Sequence, residues 1–318
     1  MSAQKQYDTF SIKHIPSLLL DTGKHWIKDD PFRLAAVVAY YALLSLPGLL
    51  VVIINTVGFF WGAEIVTGRV MGQIESAIGA EAAKTVQSIL ENTGNSGDST
   101  IATILGIAVL IFGATGVFFH LQISLNEIWQ IKQDPKSGFV RMLLDRVISF
   151  AFVLIVGFLL LIFFVISAAL AVLQDFISQT LPDFMLIVAY ILNLALSLGV
   201  ITLLFALIFK YLPDAKIWWK SVWGGAFITA VLFTIGKELL GLYFGEADPG
   251  STYGAAGSLV LILLWVSYSS LILFFGAEFT WIFARRYGHE IEPKDHAVLI
   301  KVEKVERVKK VQTVCSDE

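Results

Sequence analysis

Three ionisable side chains lie inside segments that are otherwise apolar. Lys237 and Glu238 are adjacent in the apolar run 221–245, and Glu278 lies in the apolar run 253–283. A charge at the centre of a bilayer costs roughly 2.5–3.5 kcal/mol on insertion scales, so such residues usually face a protein interior or a water-filled cavity. Groups of this kind can hold a charged headgroup, take part in proton transfer or form ion pairs. We therefore predict that all three line a polar cavity.

Lys237 and Glu238 also have a structural interpretation. Lys237 lies eight residues before Gly245, which is about 12 Å of helical rise, so its ammonium group can snorkel to the membrane surface. Neighbouring residues point about 100° apart on a helix, and we therefore expect Lys237 and Glu238 to have separate partners. The sequence leaves the snorkelling and the cavity-lining interpretations open.

Glu278 has a structural alternative as well. It can form an ion pair with an arginine such as Arg33 or Arg146, which would lock two helices together; the functional alternative is a gate pair or a proton site. Seven further polar or aromatic side chains are candidates for lining the same cavity: Tyr40, Tyr41, His120, Gln122, Asn126, Tyr243 and Tyr253. Among them, His120 is the group that can titrate near neutral pH, although a lone histidine near a helix end is more often only hydrogen-bonded.

The composition shows which elements must position these side chains. The chain has 318 residues, of which 56% are hydrophobic and 15% are charged, and its mean hydropathy is +0.74. Soluble domains are nearer 45–50% apolar and about 25% charged. In lipid, only helices and closed barrels satisfy the backbone, and barrel strands alternate apolar with polar residues, which these runs do not. The sequence predicts an all-α, polytopic membrane protein.

Six apolar runs are long enough for the roughly 20 residues that cross a bilayer core. They lie at about 32–61, 100–122, 147–173, 184–209, 221–245 and 253–283. An even number of spans places both termini on the same side of the membrane.

The distribution of basic residues predicts which side that is. Most of the 23 lysines and arginines fall in the two tails and in the loops 130–146 and 210–220, and the exceptions are Arg69, Lys84 and Lys237. Because basic residues accumulate on the cytoplasmic side, both termini are predicted to be cytoplasmic.

The chain divides into three parts. Residues 1–28 form an N-terminal cytoplasmic segment whose second half is predicted to be an amphipathic helix on the anionic membrane face. Residues 29–286 form the six-span membrane domain, in which 63–92 are predicted to be two short amphipathic helices on the outer face. Residues 287–318 form a charged cytoplasmic tail that we expect to be disordered or partly helical. Lipids of the anionic inner leaflet are the expected partners of the basic residues.

Proline and glycine mark positions where helices bend or approach closely. Proline inside a helix removes a backbone hydrogen bond and kinks it, and small residues at four-residue spacing let helices pack closely. The candidate hinge and packing positions are Pro47, Gly48, Gly241, Gly245, Gly254 and Gly257. Packing is the simpler role, but the same residues would let helices slide or part.

Signatures of enzymatic chemistry are missing from the sequence. There is no phosphate-binding GxxxxGK[ST], no HExxH, no CxxC and no GxSxG, and the five histidines are scattered. The single cysteine, Cys315, lies in the polar tail. We therefore expect no catalytic residues, no metal and no cofactor, and we expect no nucleic-acid partner.

Several short segments are distinctive in their order and spacing. They are Tyr-Tyr-Ala-Leu-Leu-Ser-Leu-Pro at 40–47, Asn-Glu-Ile-Trp at 126–129, Gly-Gly-Ala-Phe at 224–227, Phe-Thr-Ile-Gly-Lys at 233–237, Tyr253-Gly254, Trp265, Tyr268 and Gly-Ala-Glu-Phe-Thr at 276–280. Together they resemble the YihY/virulence factor BrkB family of bacterial inner-membrane proteins over about 29–286. The tail after Arg286 is expected to lie outside the family pattern.

The resemblance implies six spans with both termini cytoplasmic, in the bacterial inner membrane, but no settled activity. Family members have been linked to serum resistance, salt tolerance and passage of lipid-linked material, and some carry an old ribonuclease BN label. We do not extend that label to this chain, because no metal or acid–base constellation supports it.

Two functions remain open from the sequence. The first is a transporter that moves a lipid or other amphiphile, or an ion or small solute, through a polar cavity lined by the intramembrane charges. The second is a non-transporting envelope scaffold that binds a partner through its outer helices or its tail, with the charges acting only as staples. The sequence is also compatible with a homo-oligomer.

Overall fold

A computed structural model describes residues 11–78, 83–88, 115–133, 183–247, 256–288 and 291–300, together with residues 80 and 253 and scattered positions between 144 and 159. Several predictions lie outside the described residues. These are the first part of the span at 100–122, most of the span at 147–173, Gly254, Arg146 and the tail beyond residue 300.

The described part of the chain is mostly helical, as predicted. After a 3-10 turn at Ile12–His14, the helices are α1 (Ile15–Lys28), α2 (Pro31–Trp61), α3 (Ala63–Ile78), α4 (residues 115–128), α5 (Asp183–Tyr211), α6 (Trp219–Ala247) and α7 (Gly257–Arg286). Residues 83–88 are also helical. Among the described residues, three helices are long and apolar enough to cross a membrane, in the windows Leu194–Tyr211, Trp219–Phe244 and Gly257–Arg286.

Helix α1 is amphipathic and packs along α7. Leu18 and Thr22 are buried, while Leu20 is exposed on the opposite side. At its start, the Nδ1 atom of His14 lies 3.1 Å from the hydroxyl oxygen of Tyr287. The segment predicted to lie on the membrane surface is therefore also anchored to the end of the last helix.

Helix α2 begins where the sequence predicts a helix start. Asp30 has a left-handed backbone with φ of 50°, and Pro31 supplies the first helical residue, where its missing N–H costs nothing. The helix continues through Pro47 without a break. Leu34, Ala35 and Val38 face the core against α7.

Helices α6 and α7 approach closely through two matched glycine–threonine pairs. A Cβ atom on Gly276 would lie 1.6 Å from Oγ1 of Thr229, and one on Gly225 would lie 1.8 Å from Oγ1 of Thr280. Each threonine hydroxyl donates to a carbonyl oxygen four residues earlier in its own helix, at 2.7 Å and 2.8 Å. Only glycine fits at these two positions, so the antiparallel contact between α6 and α7 is specified by them.

In the part of the chain that the structure describes, four short strands lie at one end of the helices. β1 (Ile131–Gln133) pairs antiparallel with β4 (Ala297–Leu299), and β2 (Ala215–Lys216) pairs antiparallel with β3 (Glu292–Pro293). We call this end of the molecule, where β1 to β4 lie, the strand end.

The expectation of a disordered or partly helical tail was wrong for residues 292–299. These residues form strands because each finds a partner strand far away in the sequence, after α4 and after α5. In β4, Val298 favours extended backbone once such a partner is present. The tail up to residue 300 is thus packed against the helical part of the chain.

Candidate functional site

Glu278 is a buried carboxylate in the strand-end half of α7. Its residue exposure is 1%, and neither carboxylate oxygen has a hydrogen-bond partner among the described residues. The nearest described cation-forming group is His25 on α1, whose Nδ1 atom lies 3.9 Å from Oε1 of Glu278. The rings of His25 and Trp281 are 5.6 Å apart, and the guanidinium of Arg285 lies 4.3 Å from the Trp281 ring centroid.

Arg33 is not the ion-pair partner of Glu278 that the sequence suggested. The Arg33 guanidinium contacts Glu127 on α4 and lies 3.3 Å from Asp30. Arg33 lies in the first turn of α2, and its long side chain reaches acidic groups at the surface. Glu278 instead points inward toward α1. The partner that the structure gives Glu278 is therefore a histidine, which carries charge only when it is protonated.

Lys237 and Glu238 lie in a groove between α5 and α6. The groove has a volume of about 200 Å³. Its lining residues are Leu194, Ser197, Leu198, Ile201, Phe233, Thr234, Lys237 and Glu238. We call it the α5–α6 groove. Its walls are mostly apolar, and Ser197, Thr234 and the two charged residues supply its polar atoms.

The expectation of separate partners for Lys237 and Glu238 was wrong. Nζ of Lys237 lies 3.3 Å from Oε1 of Glu238, and the two side chains are 50% and 71% exposed. Both side chains are long and flexible, so their charged ends can meet around the helix although their Cβ atoms diverge. Such an exposed pair contributes little to stability in water.

The structure separates the two groups of intramembrane charge. Gly236, next to Lys237, faces Tyr268 of α7, whereas Gly225 faces Gly276 and Thr280 near Glu278. Tyr268 and Glu278 are ten positions apart in α7, which corresponds to about 15 Å along the helix axis. The described residues therefore form two polar positions at different depths rather than the single cavity that the sequence suggested.

Gln122 and Asn126 belong to a third polar site, which is built around Asp214 at the strand end. Oδ2 of Asp214 accepts hydrogen bonds from Nδ2 of Asn126 at 2.9 Å, Nε2 of Gln133 at 3.2 Å and Nε2 of Gln122 at 3.3 Å. Oδ1 lies 2.8 Å from Nε2 of His296. We call these five residues the Asp214 cluster.

Backbone groups complete the Asp214 cluster. The N–H of Asp214 donates to Oδ1 of Asn126 at 2.8 Å, and the N–H of Lys294 donates to the carbonyl oxygen of Asp214 at 2.9 Å. The cluster thus joins α4, β1, the α5–α6 connection and the segment that carries β3 and β4. Asn126, a candidate for lining the polar cavity, is 6% exposed and belongs to this cluster instead.

The Asp214 carboxyl is stabilised in its ionised form. Burial acts to raise its pKa, but the hydrogen bonds from His296, Asn126 and Gln133 outweigh burial and hold the pKa below its ordinary value of 3.8. A buried carboxylate that is held by four side chains from separate segments fits a structural role.

Sequence reasoning missed Asp214, Gln133 and His296 because all three lie in short segments that appeared to be solvated loops. The available signal was the pair of amides at Gln122 and Asn126, four residues apart on one helix face. Two buried amides on one face require a polar partner. In the same helix, Nε1 of the buried Trp129 donates to the carbonyl oxygen of Ala277 at 3.0 Å, beside Glu278.

The remaining cavity candidates do not gather at one place. Tyr41 stacks on His120, with ring centroids 3.3 Å apart, and Tyr40 contacts Tyr41 edge to face. Tyr243 and Tyr253 are both more than half exposed. A Cβ atom on Gly241 would meet no described atom within 4 Å. The hinge or packing roles of Pro47, Gly48, Gly241, Gly245 and Gly257 stay predictions, as do the roles of the tyrosines.

The described residues offer no group of three or more histidine, cysteine, aspartate or glutamate side chains that could hold a metal ion. His296 and Asp214 form a close pair, but the amide donors already occupy Oδ2 of the carboxylate. The chemistry that the described groups can perform is the binding of charged groups.

Comparison with known proteins gives one family. A family model described as "Virulence factor BrkB" matches residues 22–300. The match includes β3 and β4, so the expectation that the family pattern stops at Arg286 was wrong. No solved structure shows a significant match to the chain.

Three curated relatives illustrate the match. A protein of Bacillus subtilis whose name calls it ribonuclease-like, YfkH, is 24% identical over 79% of this chain and 90% of its own length. The UPF0761 membrane protein PSHAa0171 of Pseudoalteromonas translucida is 26% identical over 88% of this chain and 90% of its own length. A UPF0761 membrane protein of Verminephrobacter eiseniae is 27% identical over 56% of this chain and 40% of its own length.

Proposed function

The chain belongs to the virulence factor BrkB family, a family of membrane proteins, and from that premise we propose that it is a transport protein of the bacterial inner membrane. It would have six spans with both termini on the cytoplasmic side. Its cargo would be a lipid or another amphiphile, or an ion or small solute. Glu278 would be the polar position inside the bundle, and the α5–α6 groove would be a second polar position nearer the opposite end.

The observation that carries this proposal is the environment of Glu278. A buried polar group without a partner is rare and requires an explanation in terms of strain, a bound ion or water, or function. The described fold does not use this carboxylate for a hydrogen bond. Glutamate inside a membrane span is costly, so a group that arrives and leaves, such as a proton or a cationic cargo, is a consistent reason for its presence.

The α5–α6 groove favours an amphiphile as the cargo. Leu194, Leu198 and Ile201 can contact acyl chains, while Lys237 and Glu238 can contact a charged headgroup. The groove lies on the surface of two candidate membrane spans, so a lipid could enter from the bilayer without crossing water. A cargo that is partly apolar fits these walls better than a fully hydrated ion does.

The second candidate is a scaffold in which the intramembrane charges only hold helices together. The contact between His25 and Glu278 favours it. If His25 is protonated, the pair ties α1 to α7 and has no need of a cargo. The protein would then be an envelope scaffold that binds its partner through the 63–92 segment or the tail. The ribonuclease-like name of the Bacillus subtilis relative raises a third alternative, for which no described acid–base or metal constellation supplies the chemistry, and we propose no enzymatic activity.

Reconstitution separates these candidates. Purified full-length protein is placed in liposomes that contain a fluorescent phospholipid and an internal pH dye, and lipid translocation and proton flux are recorded. We expect translocation above that of empty liposomes and at least a fivefold reduction in Glu278→Gln. Asp295→Asn, which removes an exposed carboxylate at the strand end, is the control and is expected to keep the wild-type rate. Absence of lipid, ion and solute flux from correctly folded wild-type protein would favour the scaffold.

A further inference from the structure

A pocket at the strand end is separate from the groups discussed above. It has a volume of about 450 Å³ and lies between the end of α5, the start of α6 and the β2–β3 pair. Three lysines line it, Lys210, Lys216 and Lys294, together with Trp218 and Trp219. We call it the strand-end pocket. Its volume is in the range of small-molecule sites.

Two of the lysines are oriented by carbonyl oxygens. Nζ of Lys210 donates to the carbonyl oxygen of Ile217 and lies 5.5 Å from the Trp219 ring centroid. Nζ of Lys294 donates to the carbonyl oxygen of Pro213 at 2.7 Å. Nζ of Lys294 also lies 3.4 Å from the carbonyl oxygen of Tyr211. A carbonyl oxygen holds an ammonium group in place without contributing a full negative charge, so both lysines keep their positive charge to attract an anion.

Carboxylates offset part of this positive charge. Glu292 lines the pocket, and Asp295 lies 2.6 Å from Nζ of Lys216. Three ammonium groups against two carboxylates leave an excess of one positive charge. That excess matches a phosphodiester, which carries one negative charge, and it disfavours a headgroup that carries its own cation.

The position of the pocket indicates where such an anion comes from. Helix α5 ends and helix α6 begins at the pocket, and both contain candidate membrane spans. Trp218 is 64% exposed, Trp219 is 40% exposed and Tyr211 is 51% exposed. Exposed aromatic residues at the ends of membrane spans are typical of the headgroup layer. The pocket therefore opens at the depth where phospholipid phosphates lie.

We propose that the strand-end pocket binds the phosphodiester of an anionic phospholipid headgroup, with Lys210 and Lys294 as its principal contacts. The acyl chains of this lipid would lie along α5 and α6, and its headgroup would contact the β2–β3 pair. This site does not depend on the proposed transport function, because it involves none of Glu278, Lys237 and Glu238. A scaffold would bind the same lipid.

Native mass spectrometry of the full-length protein tests the proposal. The protein is taken from nanodiscs that contain equal amounts of phosphatidylglycerol and phosphatidylcholine, and the lipid retained by each chain is counted. We expect the wild-type protein to retain one phosphatidylglycerol in preference to phosphatidylcholine. Each lysine removed is expected to weaken lipid retention roughly fivefold, because one basic residue near an anionic lipid surface strengthens binding by about that factor.

The variants are matched in charge. Lys210→Gln with Lys294→Gln should lose the preference, while Lys210→Arg with Lys294→Arg should keep it. The control, Arg69→Gln with Lys84→Gln, removes two exposed charges from the 63–92 segment, which is predicted to lie on the outer face, and should also keep it. Thermal unfolding of each variant verifies that it is folded, and the lipid competition on wild-type protein does not depend on any variant.

Three results would overturn the assignment. The first is equal retention of the two lipids by the wild-type protein. The second is an unchanged preference in the folded Lys210→Gln, Lys294→Gln protein. The third is displacement of the lipid by inorganic phosphate at an equal concentration, which would make a soluble anion the ligand instead of the membrane.

Discussion

Asp214 and Glu278 are two carboxylates with the same 1% exposure and opposite surroundings. Asp214 lies at the strand end and has four side-chain partners from three separate segments of the chain. Glu278 lies inside α7, and its oxygens have no hydrogen-bond partner among the described residues. Two equally buried carboxylates therefore differ in the number of hydrogen-bond donors that they meet, which burial alone does not show.

The comparison divides the polar residues of the chain into two groups. Those at the strand end satisfy one another and join the tail to the helices. Those inside the helices either lack a hydrogen-bond partner among the described residues, as Glu278 does, or are paired weakly at an exposed surface, as Lys237 and Glu238 are. If this division is right, substitutions in the first group should mainly lower stability, and those in the second should mainly lower flux.

The largest effect on stability is expected from Asp214→Ala. This change leaves the buried amides of Gln122 and Asn126, and the half-buried amide of Gln133, without Asp214 as acceptor, and unsatisfied buried donors cost about 1–3 kcal/mol each. Because the residues can partly rearrange, we expect a loss of about 3 kcal/mol in the free energy of unfolding, measured by chemical denaturation in detergent micelles. Asp295→Ala, in the same segment but exposed, should leave the unfolding midpoint unchanged. Equal shifts in both variants would show that the cluster does not hold the tail.

Gly276→Ala is expected to cause the next largest loss of stability. The new methyl group would overlap Thr229 of α6, and overpacking of this kind costs about 1–3 kcal/mol. Thermal unfolding should show the loss, and it should be relieved in the double variant Gly276→Ala, Thr229→Ala, which removes the hydroxyl. Gly241→Ala is the matched glycine control, because its Cβ would meet open space. Similar losses in Gly241→Ala and Gly276→Ala would argue against a tight α6–α7 contact.

Acid should weaken the Asp214 cluster over a defined pH range. The pKa of Asp214 in the folded protein is held below its ordinary value of 3.8, so its contribution is fully present above pH 3.8 and is lost as the pH falls through the folded-state value. The difference in unfolding free energy between wild type and Asp214→Asn should therefore shrink below about pH 4. A difference that stays constant from pH 7 to pH 3 would mean that the ionised form is not what the cluster stabilises.

The smallest effect on stability is expected for the exposed pair in the α5–α6 groove. Lys237→Met with Glu238→Gln removes both charges and should change the free energy of unfolding by less than about 1 kcal/mol. The same double variant should slow lipid translocation, because the groove loses its contacts to a headgroup. Translocation at the wild-type rate would show that the pair only snorkels.

The apolar runs predicted the long helices well, because length and hydropathy are properties of a single segment. The predicted run 221–245 appears as Trp219–Ala247, and 184–209 appears as Asp183–Tyr211. The charged residues within them were also visible in the sequence. Which partners they meet was not, since Glu278 faces His25 from a helix some 250 positions earlier in the chain.

The strand end was not predicted, because its partners also lie far apart in the sequence. Strands of two or three residues carry almost no periodic signal, and β1 pairs with β4, which lies far along the chain beyond several helices. Asp214 looked like a loop residue after Pro213, and nothing local shows that four side chains converge on it. The close contact at Gly225 and Gly276 was likewise hidden, because threonine partners on the opposite helix decide which glycines are needed.

The most direct test compares Glu278→Gln with Asp214→Asn, two isosteric replacements of equally buried carboxylates. Both variants are reconstituted at equal amounts of folded protein, and lipid and proton flux are recorded together with the free energy of unfolding. The account predicts that Glu278→Gln loses flux at least fivefold with little change in stability, while Asp214→Asn loses stability and keeps the flux per folded molecule. Wild-type flux in Glu278→Gln, or a flux loss confined to Asp214→Asn, would contradict it.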